Sequence, residues 1–186
     1  LASPKESMDM VTNYIDQAKF DRLVVIGSSL GGFYANFLAE KYGCKAVALN
    51  PAVRAPRELA PHVGMMTSYD SDEPFDFRSE YIEELQALQV ENISMPNRYL
   101  LIAAKGDELL DWKEMVQFYD GAKQLVLEGS DHGIADYAES EEAGMRYYVR
   151  YKAADGRQVE EWFTDGALRS LGEPEVVHGS NESNLG

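Results

Sequence analysis

Residues 23–33 read Leu23-Val24-Val25-Ile26-Gly27-Ser28-Ser29-Leu30-Gly31-Gly32-Phe33. The apolar, β-branched first half predicts a strand, and the residues from Leu30 onward have a helical pattern. Between them stands the motif G-x-S-x-G, centred on Ser29, which marks a nucleophile elbow when it joins a strand to a helix. The glycines two residues before and after the serine allow the sharp turn, because they have no Cβ to collide with nearby backbone. The stretch predicts a nucleophilic serine at the carboxyl end of a strand.

A phosphate-binding turn is the alternative for this stretch, since glycine-rich turns before helices also bind phosphate groups. The spacing is not G-x-G-x-x-G, and a Walker A loop would need lysine at the position of Phe33. The motif alone leaves both interpretations open, so the rest of the chain has to separate them.

Composition limits the class of protein. The chain has 186 residues, 45% of them hydrophobic, which suffices for one globular domain with a substantial core. The formal net charge of -15 argues against nucleic acids and anionic membrane surfaces as partners, because both repel an acidic protein. No stretch of sequence is long and apolar enough to span a bilayer. Cys44 is the only cysteine, so no intramolecular disulfide forms, and we expect a reducing, cytoplasmic location.

The elements around the elbow follow a βαβ pattern. Ser3-Pro4-Lys5-Glu6 has the features of a helix start, and apolar residues then recur at helical spacing as far as Ala18. A second helix is predicted from Leu30 to Tyr42 and a strand over 46–49, which should pair in parallel with the elbow strand. The remaining predicted core elements are strands over 99–104 and 124–128 and a helix over 111–119.

Residues 52–92 differ in character from the rest of the predicted core, which spans 1–140. They contain three prolines, the pair Met65-Met66 and an acidic run, followed by a helical pattern over 79–90. We interpret them as an insertion over the mouth of the sheet, where methionine-rich material would suit apolar acyl chains. An ordinary long connection is the alternative.

Two further strand ends carry the residue types that a serine nucleophile needs. Asp107 follows the strand over 99–104, and His132 follows the strand over 124–128. In open parallel sheets the chemistry lies at the carboxyl ends of strands, and the order Ser29, Asp107, His132 is that of the α/β-hydrolase triad. In such a triad His132 is the general base, Asp107 orients it, and the backbone N–H of Leu30 stabilises the oxyanion.

Other residues compete for these roles. Asp111 is predicted to lie inside the following helix, and Asp131 is adjacent to His132, where neighbouring side chains seldom face each other. His62 and His178 are interpreted as incidental. Three scattered histidines and one cysteine do not form a metal site, and no cofactor is expected.

Four pieces of the chain resemble the YqiA-type esterases, a small bacterial branch of the α/β-hydrolase superfamily. The pieces are 25–35, Asn50-Pro51-Ala52-Val53-Arg54, 106–111 and 129–132. The resemblance runs from about Met8 to about Tyr137. It implies a three-layer α/β-hydrolase fold with a mainly parallel sheet, and a serine esterase acting on carboxylic or thioester acyl substrates without a cofactor. Ser29, Asp107 and His132 take the triad positions of the family.

The start of the chain departs from this family. Its members begin with a strand ending in His-Gly-Phe, whose loop supplies a second oxyanion amide, and no such motif precedes Ser3. Without that strand, residues 23–26 form an exposed apolar edge, which predicts self-association there. We expect either an N-terminally truncated chain or another cover for the edge.

The end of the chain departs as well. Residues 146–163 alternate like two strands around Asp155-Gly156, a two-residue hairpin signal, within a segment over 141–171. The polar residues 172–186 are predicted to be a disordered tail. The expected hairpin pairs are Arg150 with Glu161, Val149 with Trp162, and Tyr148 with Phe163.

Three functions remain in view. The first is a serine esterase. The second is a non-catalytic or truncated hydrolase-fold protein that binds acyl ligands or a partner chain, which the missing oxyanion strand favours. The third is an acidic interaction module that uses the apolar edge and the hairpin, for which gel filtration should reveal a dimer or larger species.

Overall fold

The computed structural model describes residues 3–67, 74–134, 146–152 and 158–164. The helices are α1 (Pro4–Ala18), α2 (Leu30–Tyr42), α3 (Ala55–Leu59), α4 (Ser79–Leu88) and α5 (Trp112–Phe118). The strands are β1 (Val24–Ser28), β2 (Lys45–Leu49), β3 (Gly64–Thr67), β4 (Pro74–Phe77), β5 (Tyr99–Ala104), β6 (Lys123–Leu127), β7 (Arg146–Lys152) and β8 (Gln158–Thr164). In these ranges no helix has the length and hydropathy needed to cross a membrane.

One sheet holds six strands in the order β1-β2-β5-β6-β7-β8. The first four strands are parallel, and β7 and β8 continue the sheet in antiparallel pairing. Strands β3 and β4 form a separate antiparallel pair. Helix α2 connects β1 to β2 and α5 connects β5 to β6, as parallel pairing requires. This is the mainly parallel α/β architecture that the sequence predicts.

The main core lies on one face of the parallel strands. Alternate residues of β2 and β5 point to this face, and the small Ala48 and Ala103 are completely buried there. Met115 and Tyr119, in and just after α5, belong to the same cluster of buried side chains. The small strand residues let the helical segments pack closely, which holds the strand ends at fixed spacing.

Helix α1 begins as the sequence predicts. The Ser3 hydroxyl accepts the N–H of Glu6 at 3.1 Å, and the Ser3 N–H donates to the Glu6 carboxylate at 3.3 Å. This capping box satisfies two backbone groups that a helix start otherwise leaves unpaired. The buried face of α1 packs through Met8 and Ile15 against Leu38 of α2, so α1 supports the helix that follows the elbow.

Strand β1 is the end strand of the described sheet, and two of its apolar side chains are open to solvent. Val24 is 55% exposed and Ile26 is 70% exposed. The hairpin β7–β8 pairs with β6, at the opposite edge, and among the described residues no strand pairs with the outer side of β1. The exposed apolar edge expected over 23–26 is present at Val24 and Ile26, whereas Leu23 and Val25 are half-buried against the core. Self-association through this edge stays a prediction.

The predicted register of the hairpin β7–β8 is wrong by one residue. Arg150 stands opposite Glu160 and Tyr148 opposite Trp162, one position earlier on β8 than expected. The last pair joins Lys152 to Gln158, so five residues lie between the paired ends. The predicted two-residue turn at Asp155-Gly156 and the predicted tail over 172–186 lie outside the described residues.

Residues 55–88 contain α3, the β3–β4 pair and α4. The predicted helix is confirmed as α4, whose Tyr81 and Leu85 are buried in a cluster that also contains Phe33 of α2 and Ala52. This cluster anchors the segment beside the helix that follows Ser29. That the segment acts as an insertion over a substrate site stays a prediction.

Candidate active site

Ser29 occupies a strained turn between β1 and α2. Its φ of 52° and ψ of −121° lie outside the regions that residues other than glycine usually adopt. The Ser29 N–H donates to the Leu49 carbonyl at 3.0 Å, and its own carbonyl accepts from Ala52 at 3.0 Å. The hydroxyl makes no cap to α2. The neighbouring β2 thus holds the turn in place, and the helix does not use the hydroxyl.

Two glycines make this turn sterically possible. A Cβ added to Gly27 would lie 2.0 Å from the carbonyl oxygen of Gly31, and one added to Gly32 would lie 2.6 Å from the Pro51 Cβ. A Cβ on Gly31 would meet open space. The expectation that both outer motif glycines are crowded is therefore correct for Gly27 and wrong for Gly31, whose neighbour Gly32 makes the close approach instead.

The first amides of α2 lie at the positive end of the helix. Among them, the N–H groups of Gly32 and Phe33 donate to the Ser29 carbonyl at 3.0 and 3.3 Å. The N–H groups of Leu30 and Gly31 precede them and have no backbone acceptor among the described residues. The Leu30 N–H therefore directly follows Ser29 at the end of the helix that favours negative charge.

Asp107 lies after β5 with its side chain completely buried. One carboxylate oxygen accepts the N–H groups of Leu109 and Leu110, each at 2.9 Å. The other oxygen lies 2.8 Å from Nδ1 of His132. Because a carboxylate only accepts hydrogen bonds, this contact favours the tautomer in which Nδ1 carries the hydrogen and Nε2 is left as an acceptor.

His132 follows β6, and its side chain is 15% exposed. Its backbone is held by two side chains. The His132 N–H donates to the Glu108 carboxylate at 3.0 Å, and its carbonyl accepts from Nδ2 of Asn50 at 2.8 Å. The sequence interpretation assigned no role to Glu108 or Asn50. The sequence did contain a signal for Asn50. It is a polar residue directly after a buried strand, at the edge of the sheet where the other candidate residues lie.

The structure brings the predicted residues to the same edge of the sheet. Ser29, Asp107 and His132 follow the parallel strands β1, β5 and β6, at their carboxyl ends. Hydrogen bonds of the described residues join Asp107 to His132 and do not join His132 to Ser29. Asp107 and His132 are thus in direct contact, and Ser29 lies at the same edge of the sheet.

The competing residues have other contacts. Asp111 caps α5, from outside the helix rather than within it, by accepting the Lys113 N–H at 2.9 Å. His62 is exposed, and His178 lies outside the described residues. Cys44 is buried, and burial raises the pKa of its thiol. In the described part of the chain, no three His, Cys, Asp or Glu side chains are grouped as metal ligands would be.

Solved structures share this fold at low sequence identity. A protein of Agrobacterium vitis S4 described as a hydrolase matches with a TM-score of 0.58 at 17% identity, over 76% of this chain and 68% of its own. Alpha/beta hydrolase domain-containing protein 10 from mouse matches at 0.54 and 17%, over 74% and 65%. The esterase domain of a Rhodothermus marinus protein matches at 0.53 and 17%, over 72% and 62%. The chain thus has the α/β-hydrolase fold and spans about two thirds of each of these structures.

A family model matches most of the chain. It is that of an uncharacterised protein family, UPF0227, and it matches residues 2–147. The matched residues include β1, β5 and β6 together with Ser29 and His132. This agrees with the resemblance to YqiA-type esterases found in the sequence. The chain belongs to the uncharacterised protein family UPF0227.

Proposed function

We propose that this protein is a serine esterase that hydrolyses carboxylic or thioester acyl substrates through Ser29, His132 and Asp107. The observation that most directly supports the proposal is the 2.8 Å contact between His132 Nδ1 and the buried Asp107 carboxylate. It fixes the tautomer in which Nε2 can take a proton from a serine hydroxyl. The strained backbone of Ser29 adds support, since strain of this kind is typical of nucleophile elbows.

In the first half of the reaction, the Ser29 oxygen attacks the substrate carbonyl carbon and its proton passes to Nε2 of His132. The buried Asp107 carboxylate stabilises the imidazolium that forms. The Leu30 N–H binds the developing oxyanion at the helix N-terminus. The carbonyl re-forms, the bond to the alcohol or thiol breaks, and the imidazolium gives its proton to that leaving group.

In the second half, water attacks the acyl-serine, and Nε2 of His132 takes the water proton. A second tetrahedral oxyanion forms at the Leu30 N–H. Its collapse releases the carboxylic acid as the serine oxygen recovers its proton from the imidazolium. Water and side chains balance the whole reaction, so the proposed chemistry requires no cofactor.

Half-buried apolar side chains near the elbow favour an apolar acyl group. We define the apolar wall as Leu30, Leu59, Phe75 and Leu110, which all pack against the buried cluster of Phe33 and Ala52. Leu30 directly follows the nucleophile, and Leu110 donates its N–H to Asp107. The wall therefore borders residues of the proposed site and can contribute burial energy of about 25 cal/mol per Å² to an aliphatic chain.

Ester hydrolysis by three matched proteins tests the proposal. The substrates are p-nitrophenyl acetate and octanoate and an acyl thioester, and the proteins are wild type, Ser29→Ala and Ser28→Ala. Ser28 is an exposed serine next to the proposed nucleophile and provides a control for local perturbation. We expect Ser29→Ala to abolish turnover and Ser28→Ala to retain it. Wild-type turnover by a folded Ser29→Ala protein would refute the proposal.

A non-catalytic protein that binds a partner chain is the second candidate. The exposure of Val24 and Ile26 on the open strand β1 favours it, since an apolar edge strand is a template for pairing. A folded protein without turnover that elutes as a dimer, and that Ile26→Lys converts to a monomer, would support this candidate over the esterase.

A further inference from the structure

Asn50 lies directly after β2, between the strands that lead to the candidate residues. In the sheet, β2 lies between β1, which leads to Ser29, and β5, which leads to Asp107. The residue is completely buried, with 0% exposure. A buried amide has to satisfy both its NH₂ group and its oxygen within the protein. Its hydrogen-bond partners therefore show which segments it holds together.

The Asn50 side chain joins β5 to the loop that carries the proposed base. Its Nδ2 donates to the carbonyl of His132 at 2.8 Å and to the carbonyl of Asp131 at 3.1 Å. Its Oδ1 accepts the N–H of Ala104, the last residue of β5, at 2.7 Å. All three bonds reach residues at least 54 positions away in the chain. We call residues 130–134, which contain His132, the histidine loop. The single side chain of Asn50 thus fixes this loop against β5, the strand that leads to Asp107.

The backbone around Asn50 also holds the proposed nucleophile. Leu49 accepts the N–H of Ser29, and Ala52 donates to the Ser29 carbonyl, both at 3.0 Å. Asn50 lies between these two contacts in the chain. The segment that holds the peptide groups of Ser29 is therefore the segment whose side chain holds the carbonyl of His132.

The histidine loop needs such an anchor, because parts of its backbone are unfavourable. Ser130 has a φ of 61° and the β-branched Ile134 a φ of 53°. L-residues rarely adopt these values unless the surroundings impose them. The two bonds from the Asn50 amide act on the peptide groups between Ser130 and Ile134. Glu108 provides a further bond, to the His132 N–H, from an exposed position.

We infer that Asn50 is a positioning residue that holds His132 in register with Ser29. This inference rests on the proposed esterase function for its kinetic consequence. Its structural content is that the Asn50 amide sets the position of the imidazole through the backbone of His132. It does not require Asn50 to touch a substrate.

Two variants separate the side chain from the backbone of Asn50. Asn50 itself has a φ of 37°, so alanine would add strain unrelated to its hydrogen bonds. Asn50→Gly accepts this φ and removes all three bonds. Asn50→Asp also tolerates this φ and keeps an oxygen that can accept the N–H of Ala104. Its carboxylate, however, cannot donate to the carbonyls of Asp131 and His132. Asn36→Ala is the matched control, since buried Asn36 accepts a 2.6 Å bond from the Tyr119 hydroxyl in the main core.

The direct test is the imidazole N–H signal of His132 in protein labelled with ¹⁵N-histidine. His132→Ala identifies the signal among those of the three histidines. In wild type and Asn36→Ala we expect a Nδ1–H that is protected from solvent exchange. In folded Asn50→Gly and Asn50→Asp we expect this protection to be lost. Retention of the protected signal in both Asn50 variants would overturn the inference.

The kinetic test is a double-mutant cycle with His132→Ala, measured as kcat/KM for an ester. Asn50→Gly should lower kcat/KM about 10²-fold in the wild-type background, as small misplacements of a catalytic group do. It should change the residual rate of His132→Ala by no more than about twofold, because it acts through His132. Equal losses in both backgrounds would show a general structural effect and overturn the inference. If wild type shows no turnover, the esterase proposal fails, and the imidazole signal still decides whether Asn50 positions His132.

Discussion

A Cβ added to Gly27 would lie 2.0 Å from the carbonyl oxygen of Gly31, the second residue of α2. No side chain can occupy that space without moving the backbone on one side of Ser29. A Cβ added to Gly31 would meet open space beyond its own helix, with no atom of another segment within 4 Å. The two outer glycines of the motif therefore have different roles, although the motif itself is symmetric about the serine.

This difference predicts opposite effects for two matched substitutions. Gly27→Ala should remove ester hydrolysis and lower the melting temperature, because the elbow cannot close around a Cβ. Gly31→Ala should keep its activity and stability, with a gain of up to about 1 kcal/mol, because alanine is the better helix former. Thermal melts and steady-state kinetics on the two proteins check this. An active Gly27→Ala protein with wild-type stability would contradict the described elbow.

Replacing Asp107 by asparagine should preserve the fold and remove most of the activity. An amide NH₂ at this position would oppose the Nδ1–H of His132 and favour the wrong tautomer, at a cost of about 10⁴-fold in kcat. Asp111→Asn is the control, because asparagine also caps helices and Asp111 accepts its bond from Lys113. The measurement is kcat at neutral pH. Similar losses in the two variants would speak against a specific role for Asp107.

The apolar wall predicts a chain-length effect. Phe75 is half-buried against the cluster beside the elbow, whereas Met65 on the partner strand is 70% exposed. Phe75→Ala should lower kcat/KM for octanoate esters more than for acetate esters, by about tenfold, because roughly 1–3 kcal/mol of apolar burial is lost. Met65→Ala should leave the ratio of the two substrates unchanged. An equal loss on both esters in Phe75→Ala would exclude the wall from acyl binding.

Glu40 of α2 should stabilise the fold above the acidic range. Its carboxylate accepts bonds from the Ser94 N–H at 3.1 Å, from Arg98 at 3.4 Å and from the Tyr99 hydroxyl. Burial alone would raise the pKa of Glu40, but these hydrogen bonds and the Arg98 charge outweigh it and hold the pKa below its ordinary value of 4.5. A depressed pKa stabilises the folded state above the unfolded-state value, and this stabilisation is lost as the pH falls through the folded-state value.

Glu40→Gln should therefore lower the free energy of unfolding at pH 7 by about 1–3 kcal/mol. The difference in the free energy of unfolding between this variant and wild type should become smaller as the pH falls below 4.5. Urea titrations at several pH values measure it. Glu91→Gln is the control, since Glu91 pairs with Arg54 at 2.9 Å but is 73% exposed and should contribute little. If the difference in the free energy of unfolding between wild type and Glu40→Gln instead grows as the pH falls, the prediction is wrong.

Local signals explain what the sequence predicted well. The strand and helix around Ser29 and the ends of β5 and β6 depend on short patterns of apolar residues, glycines and caps. Parallel strands then bring Asp107 and His132 to one edge, wherever the intervening residues go. These signals were enough to anticipate the fold and the contact between acid and base.

Long-range contacts determine the features that could not be predicted from the sequence. The expected hairpin register came from the Asp155-Gly156 turn signal and from matching charged and apolar residues across it, whereas the observed register differs by one residue. The bonds of Asn50 to Asp131 and His132 cross 81 and 82 positions, and no periodic pattern encodes them. The close approach of Gly32 to Pro51 likewise joins α2 to the end of β2. Each depends on the assembled sheet rather than on the segment that contributes the residue.

The most direct test of the central claim is labelling with a fluorophosphonate probe, read by peptide mass spectrometry. The probe reacts with a serine that is activated by its base. The account predicts a stoichiometric adduct on Ser29 in wild type, its loss in His132→Ala, and its retention in His62→Ala. A folded wild-type protein without an adduct on Ser29, or a His132→Ala protein that labels at the wild-type rate, would contradict it.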